Sequence, residues 1–235
     1  MPFFFLAALV SEIAGTVAGF GSSTVFLPLA LFFVDFKSAL VLVAFLHIFG
    51  NLARLNFFRR GLDVRLLVKF GLPGVLFSLI GALLVSAFPP SALKFALGLF
   101  LVVYSLFSFW QDKLRLKPTG FNLSLGGGLS GFLAGLIGTG GALRSAFLTA
   151  FGLPKDTYLA TSAAAALAVD LTRIPVYLSQ GFLEKSYYPH VLLLLIVAFL
   201  GSYLGKLIVT RIPQPLFRKI VLLALLVMGV YLLNG

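Results

Sequence analysis

Long apolar runs alternate with short polar knots along the whole chain. Runs of about 20 residues, the length a helix needs to cross about 30 Å of hydrocarbon, recur from one end to the other. The pattern predicts helices that traverse a membrane. Two of the runs, Phe3 to Val34 and Asn122 to Phe151, are longer than one ordinary span and are interrupted by glycine. As continuous helices each would measure roughly 45 Å. Each is followed by three apolar segments of ordinary length, so each half of the chain holds four.

The halves resemble each other in order and approximate spacing. "AGTVAGFGSSTVF" (14–26) pairs with "SGFLAGLIGTGGALR" (130–144), "NLAR" (51–54) with "DLTR" (170–173), and "GALLVSAFPPSALK" (81–94) with "GKLIVTRIPQPLFR" (205–218). The expected organisation is an N-terminal transmembrane repeat over 1–110, a basic cytoplasmic linker over 111–120, and a C-terminal transmembrane repeat over 121–235.

The fold class is therefore an all-α polytopic membrane protein of two repeats. If each glycine-broken segment enters and returns, each half crosses three times and the repeats are inverted. If each crosses once, the repeats are parallel. The re-entrant arrangement puts twelve Lys and Arg, from Arg54 to Lys219, on one side and four (Lys37, Lys94, Arg173 and Lys185) on the other. Eight full crossings give ten against six. The positive-inside bias favours the inverted, re-entrant form.

Composition agrees. Of the 235 residues, 60% are hydrophobic and 11% charged, and the mean hydropathy is +1.08; a soluble domain is nearer a quarter charged. The net charge of +11 comes from clusters such as "RLNFFRRGLDVR" and "DKLRLK" beside apolar runs. That is loop topology plus contact with anionic lipid, not a nucleic-acid surface. The absence of cysteine excludes disulfides, thiolate catalysis and cysteine-ligated metals. The start, "MPFFFLAALV", lacks a charged n-region and a cleavage site and reads as retained.

Glycine-interrupted segments at matching places in two repeats point to a transporter's substrate site. Glycine permits a positive-φ turn and close approach to a ligand. A half-helix starting after the break aims its amides and positive dipole end at an anion. The first break, "GFGSST", offers Gly21, Ser22, Ser23 and Thr24; the second, "GTGGALR", offers Gly138, Thr139, Gly140, Gly141 and Arg144. An arginine inside an apolar zone faces a cavity or a partner, and its fork suits a carboxylate, sulfonate or sulfite. Gly15, Gly19, Gly131 and Gly135 read instead as close-packing positions.

Asn51 with Arg54 and Asp170 with Arg173 are each three apart, on one helix face. Asp170 with Arg173 is either a local ion pair or part of a polar lining. In the second reading Arg54 and Arg173 act as symmetric gates that attract anions. Glu12 is either a proton-coupling group or the partner of an arginine from another segment. Lys206 is expected to snorkel, His47 to be a packed helix residue, and His190 to be interfacial. Trp110, Tyr187 and Tyr188 stand at segment ends, as an interfacial belt requires. Two distant histidines give no metal site, and no cofactor is implied.

The paired glycine motifs, the NLAR/DLTR pair and the basic linker resemble the TauE/SafE family, the sulfite and sulfonate permeases also grouped as toluene-sulfonate-uptake-type transporters. The resemblance covers almost the whole chain. The family's motif is close to G-x-G-G-G with a proline a few residues on. Here the first copy, "GFGSSTVFLP", has serines for two glycines and keeps Pro28, while the second, "GTGGALRSAF", lacks the proline and adds Arg144.

Physical reading alone supports a small anion; the resemblance implies a sulfur oxyanion. The expected function is a secondary transporter moving sulfite or an organosulfonate across the bacterial inner membrane by alternating access. The alternatives are an anion channel or a carboxylate transporter of the same architecture. No Walker motif and no H-E-x-x-H pair occurs, so neither nucleotide-driven transport nor a membrane enzyme is favoured. The expected partners are a small anion and membrane lipids, with no nucleic acid. Direction, coupling ion and oligomeric state stay open.

Overall fold

The computed structural model describes residues 1–19, 21–58, 61–110, 114–208 and 214–234. Among them there are ten α-helices and no strand: α1 (Pro2–Ala18), α2 (Ser23–Ala30), α3 (Phe36–Phe58), α4 (Val64–Leu84), α5 (Pro90–Trp110), α6 (Gly120–Ile137), α7 (Gly141–Ala150), α8 (Lys155–Ser179), α9 (Tyr188–Ile208) and α10 (Gln214–Asn234). Seven helices are long and apolar enough to span a membrane, namely α3 to α6 and α8 to α10. Leu72, Leu76, Val103, Ile196, Leu223 and Val227 are exposed on four of them. On a membrane protein these faces meet lipid, where apolar exposure carries no cost.

Both glycine-broken segments turn back. Gly19 (φ 81) ends α1 and Gly138 (φ 77) ends α6, each in the left-handed conformation that favours glycine. After the first break the chain returns so closely that a Cβ on Gly15 would stand 2.3 Å from the Ser22 nitrogen. The Phe4 ring then lies 5.2 Å from that of Phe26 and 6.1 Å from that of Phe33. In the second half, a Cβ on Gly126 would stand 2.7 Å from the Phe147 ring. Leu116, before α6, donates its backbone N–H to the Ala150 carbonyl at the end of α7, 2.9 Å away. Each pair α1–α2 and α6–α7 is a hairpin whose two ends share one side of the molecule.

The packing between halves comes in matched pairs. α6 lies on α4 and α1 on α9; α8 packs on α4 as α3 does on α9. α3 meets α8, α5 meets α10, and α2 meets α7. Exchanging the halves reproduces the same set of neighbours, which is consistent with an inverted repeat. Each hairpin is thus held by a helix of the opposite half.

Small residues form those seams. On α6 a Cβ would stand 1.9 Å from the Phe70 carbonyl oxygen at Gly127, 2.1 Å from that of Gly74 at Gly131, and 2.1 Å from that of Ser78 at Gly135. The matching seam is closed in part by glycines of α9: Gly201 and Gly205 press on Glu12 and Thr16 of α1, as Gly81 of α4 presses on the Phe132 carbonyl of α6. Close backbone approach replaces the hydrophobic driving force that lipid cannot supply.

One end of the molecule gathers Arg65, Lys69, Arg115, Lys117, Lys155, Arg218 and Lys219; the other holds Lys37, Lys94 and Lys185. Arg59, Arg60, Lys113 and Arg211, expected at the basic end, lie outside the described residues, as do Gln111 of the linker and the Trp110 side chain. Tyr187 and Tyr188 stand at the less basic end, where the His190 ring stacks on Phe5 at 5.5 Å. Lys206 is exposed near the end of α9.

Two outcomes test this fold. Single cysteines at Lys117 and Lys155 will react with an impermeant thiol reagent from the same face, and one at Lys37 from the opposite face. Reaction of the first two from different faces contradicts the second hairpin. Gly131→Ala, which drives a methyl into the Gly74 backbone, will cost about 1–3 kcal/mol of stability in thermal unfolding. Gly120→Ala, where nothing lies within 4 Å of the added carbon, will cost nothing measurable.

Candidate functional site

The two breaks meet at the centre of the protein. Thr24, in the first turn of α2, and Thr139, between α6 and α7, are both fully buried, and their hydroxyls hydrogen-bond each other at 2.8 Å. Neither α2 nor α7 has a side-chain N-cap. Both half-helices therefore direct uncapped N-termini, with their partial positive charge, into the region where the hairpins touch. Ser22, which precedes α2, is buried with its hydroxyl unpartnered, and Ser23 is buried beside it.

Gly21 opens a gap there. Its φ of 85 is one reason for glycine; the other is space. A Cβ at position 21 would stand 2.6 Å from Nε2 of His47 on α3 and 3.5 Å from Nη2 of Arg144 on α7. The missing side chain lets an imidazole and a guanidinium approach the same point above bare backbone.

Arg144 is 4% exposed. Its Nε donates to the Ser162 hydroxyl of α8 at 3.1 Å, and among the described residues no carboxylate lies within 4.0 Å of it. It also borders a cavity of about 10 Å³ shared with Ser130, Gly131, Gly74 and Val169, room for about one water.

The other buried arginines are paired. Arg54 bonds Oδ1 of Asn51 at 2.9 Å and the carboxylate of Glu12, which also accepts from Ser202 at 2.8 Å. Arg173 holds Oδ1 of Asp170 at 2.8 Å and donates to the Ala134 carbonyl at 2.5 Å. Oδ2 of Asp170 meets Nδ1 of His47, also at 2.8 Å. Tyr177 donates to the Gly135 carbonyl at 2.6 Å. Arg173 and Tyr177 thereby occupy carbonyls that the end of α6 leaves open. Across the break Tyr158 performs a similar task, donating to the Gly19 carbonyl at 2.6 Å, with Ser145 2.6 Å from the same hydroxyl.

The predicted residues thus divide. Gly21, Ser22, Ser23, Thr24, Thr139 and Arg144 surround the meeting of the breaks. Gly138 serves the turn, its absent side chain facing Leu27 and Leu40, and Gly140 packs on the Ser130 carbonyl. Gly141 begins α7. Of the small residues read as packing positions, Gly131 and Gly135 form the α6 seam, Gly15 packs on the returning chain, and Gly19 provides the left-handed cap. Glu12 faces Arg54. Asp170 and Arg173 form the local pair, extended by a bond to α6.

His47 is the residue the sequence did not single out: it faces the break instead of merely packing. Its place in the second repeat is held by Ala166, so the duplication gave no signal. Tyr158, Ser162 and Tyr177 were equally silent, being tied to the hairpins only by the fold.

Two hairpin-containing halves and seven long apolar helices define a polytopic helical membrane protein. The family model described as Sulfite exporter TauE/SafE matches residues 3–232, nearly the whole chain, and the chain belongs to that family. Membership implies membrane transport of sulfur compounds, with a small anionic substrate. No curated protein and no solved structure shows a significant match.

Glu12→Gln removes the charge that Arg54 faces in a fully enclosed pair, and will destabilise the protein by about 3–5 kcal/mol. Adding Arg54→Gln will restore part of that loss. Equal unfolding midpoints for Glu12→Gln and wild type contradict the pair's structural role.

Proposed function

We propose that this protein is a secondary transporter for a small sulfur oxyanion, sulfite or an organosulfonate, which binds where the two helix breaks meet. The observation that carries the proposal is Arg144, a buried guanidinium with no carboxylate partner among the described residues, beside two uncapped half-helix N-termini. An isolated charge is costly at membrane depth, and an anion on it offsets that cost. The Nη atoms form a fork that suits two oxygens of one anion, while Ser22 and the threonine pair supply hydroxyls. Sulfur, as opposed to carbon, comes from the family.

A carrier fits better than a channel. Ser22, Thr24, His47, Thr139 and Arg144 are all buried, so the anion enters only when the hairpins part. Each hairpin is held by a helix of the opposite half, so rocking one half against the other exposes the centre to alternate sides. The Thr24–Thr139 bond lies across the contact that such a motion opens. By the positive-inside bias the Lys117 and Lys155 end is cytoplasmic, in a bacterial inner membrane.

Proteoliposomes containing the wild-type chain will take up radiolabelled sulfite saturably, with sulfonates as competitors. Arg144→Gln will reduce uptake at least tenfold, and Arg144→Lys, which keeps the charge without the fork, will fall between them. Wild-type uptake by Arg144→Gln contradicts the site. Uptake of a small carboxylate but not of sulfite or a sulfonate contradicts the sulfur assignment alone.

A further inference from the structure

His47 is buried at 2% exposure and is hydrogen-bonded on one side only. Its Nδ1 lies 2.8 Å from Oδ2 of Asp170, whose Oδ1 is held by Arg173. An ionised carboxylate only accepts, so Nδ1 carries a hydrogen. In the neutral ring Nε2 is then a bare lone pair. Among the described residues Nε2 has no hydrogen-bond partner, and it reaches the gap over Gly21 that Arg144 also approaches.

A lone pair at that point repels an oxyanion, whereas a proton on it makes a donor. The surrounding charges decide when the proton is present. From α8, Asp170 accepts from the ring at Oδ2 and is held at Oδ1 by Arg173. Arg54 on α3 itself is matched by Glu12 from α1. α2 brings no titratable side chain, and Tyr203 and Lys206 of α9 are exposed. Arg144 of α7 remains in excess. With the site empty, an imidazolium adds positive charge beside Arg144; a bound anion makes that charge favourable, a dianion offsetting both cations and a monoanion one of them.

We propose that His47 is a second ligand of the transported anion and takes up one proton at Nε2 whenever the anion binds, so that anion and proton cross together. This rests on the transport reading above. The proton comes from the side to which the centre is open and is released with the anion on the other. Asp170 positions the ring and stabilises the imidazolium. Glu12, whose carboxylate is engaged by Arg54 and Ser202, is not required for the step.

The test uses the full chain in proteoliposomes loaded with a pH-sensitive dye, with the membrane potential clamped. Sulfite and methanesulfonate are the probes; the sulfonate carries no proton at working pH. In the wild type, uptake will acidify the lumen, and an inward proton gradient will accumulate the anion several-fold. His47→Gln keeps an N–H donor at the site. It will exchange anion at equal pH on both sides with weaker apparent affinity than wild type, move one proton fewer per anion and lose accumulation.

Asp170→Asn will keep coupling but require more acidic conditions, because the imidazolium loses its carboxylate. Wild-type anion uptake without proton movement overturns the role of His47, as does unchanged proton flux in His47→Gln. If His47→Gln is inactive altogether, Asp170→Asn decides: an acid-shifted profile supports the role and an unshifted one overturns it. Failure of the wild type to move either anion overturns the transport reading itself, and this inference with it.

Discussion

A helix that stops inside a membrane leaves peptide groups that no water can satisfy, and this fold is organised around that constraint. Two helices stop here, at Gly19 and Gly138. Arg173 and Tyr177 take the Ala134 and Gly135 carbonyls, and Tyr158 takes that of Gly19. Each cap comes from α8, so the breaks have to lie inside the protein. The glycine seams follow from the same need, because they bring α6 onto α4 and α1 onto α9 closely enough to exclude lipid.

Charge follows from the capping. Arg173 is required at the end of α6, and Asp170 neutralises it. The repeat places Arg54 at the corresponding position, where Glu12 is its counter-ion. Structure accounts for two arginines and two carboxylates. Arg144 lies outside that balance, and it sits where the half-helices end. On the proposed reading, that charge is the one the transported anion meets.

How much of this was legible in the sequence depends on distance along the chain. Broken helices announce themselves in segments too long for one span with glycine inside, and the charge distribution favoured their return. Asp170 with Arg173 could be read because the two are one turn apart. Duplication drew attention to Arg54, but its partner Glu12 is 42 positions away, and spacing alone left two readings of it. His47 and Tyr158 carried no local sign at all: the bond from Tyr158 to Gly19 spans 139 positions. Such contacts come from the packing of opposite halves, which no periodicity in one helix encodes. The packing role of Gly201 and Gly205 was missed for a related reason, since α1, on which they press, lies in the opposite half.

The central claim is that the anion sits between the two breaks. The most direct measurement is to locate one, using selenite as a sulfite analogue whose selenium can be found by anomalous scattering in crystals of the wild-type chain. A single strong peak is expected beside the Arg144 guanidinium and Nε2 of His47, above Gly21, and is lost in Arg144→Gln. A peak at Arg54 or Arg173, or selenium bound only at the basic surface, would contradict it.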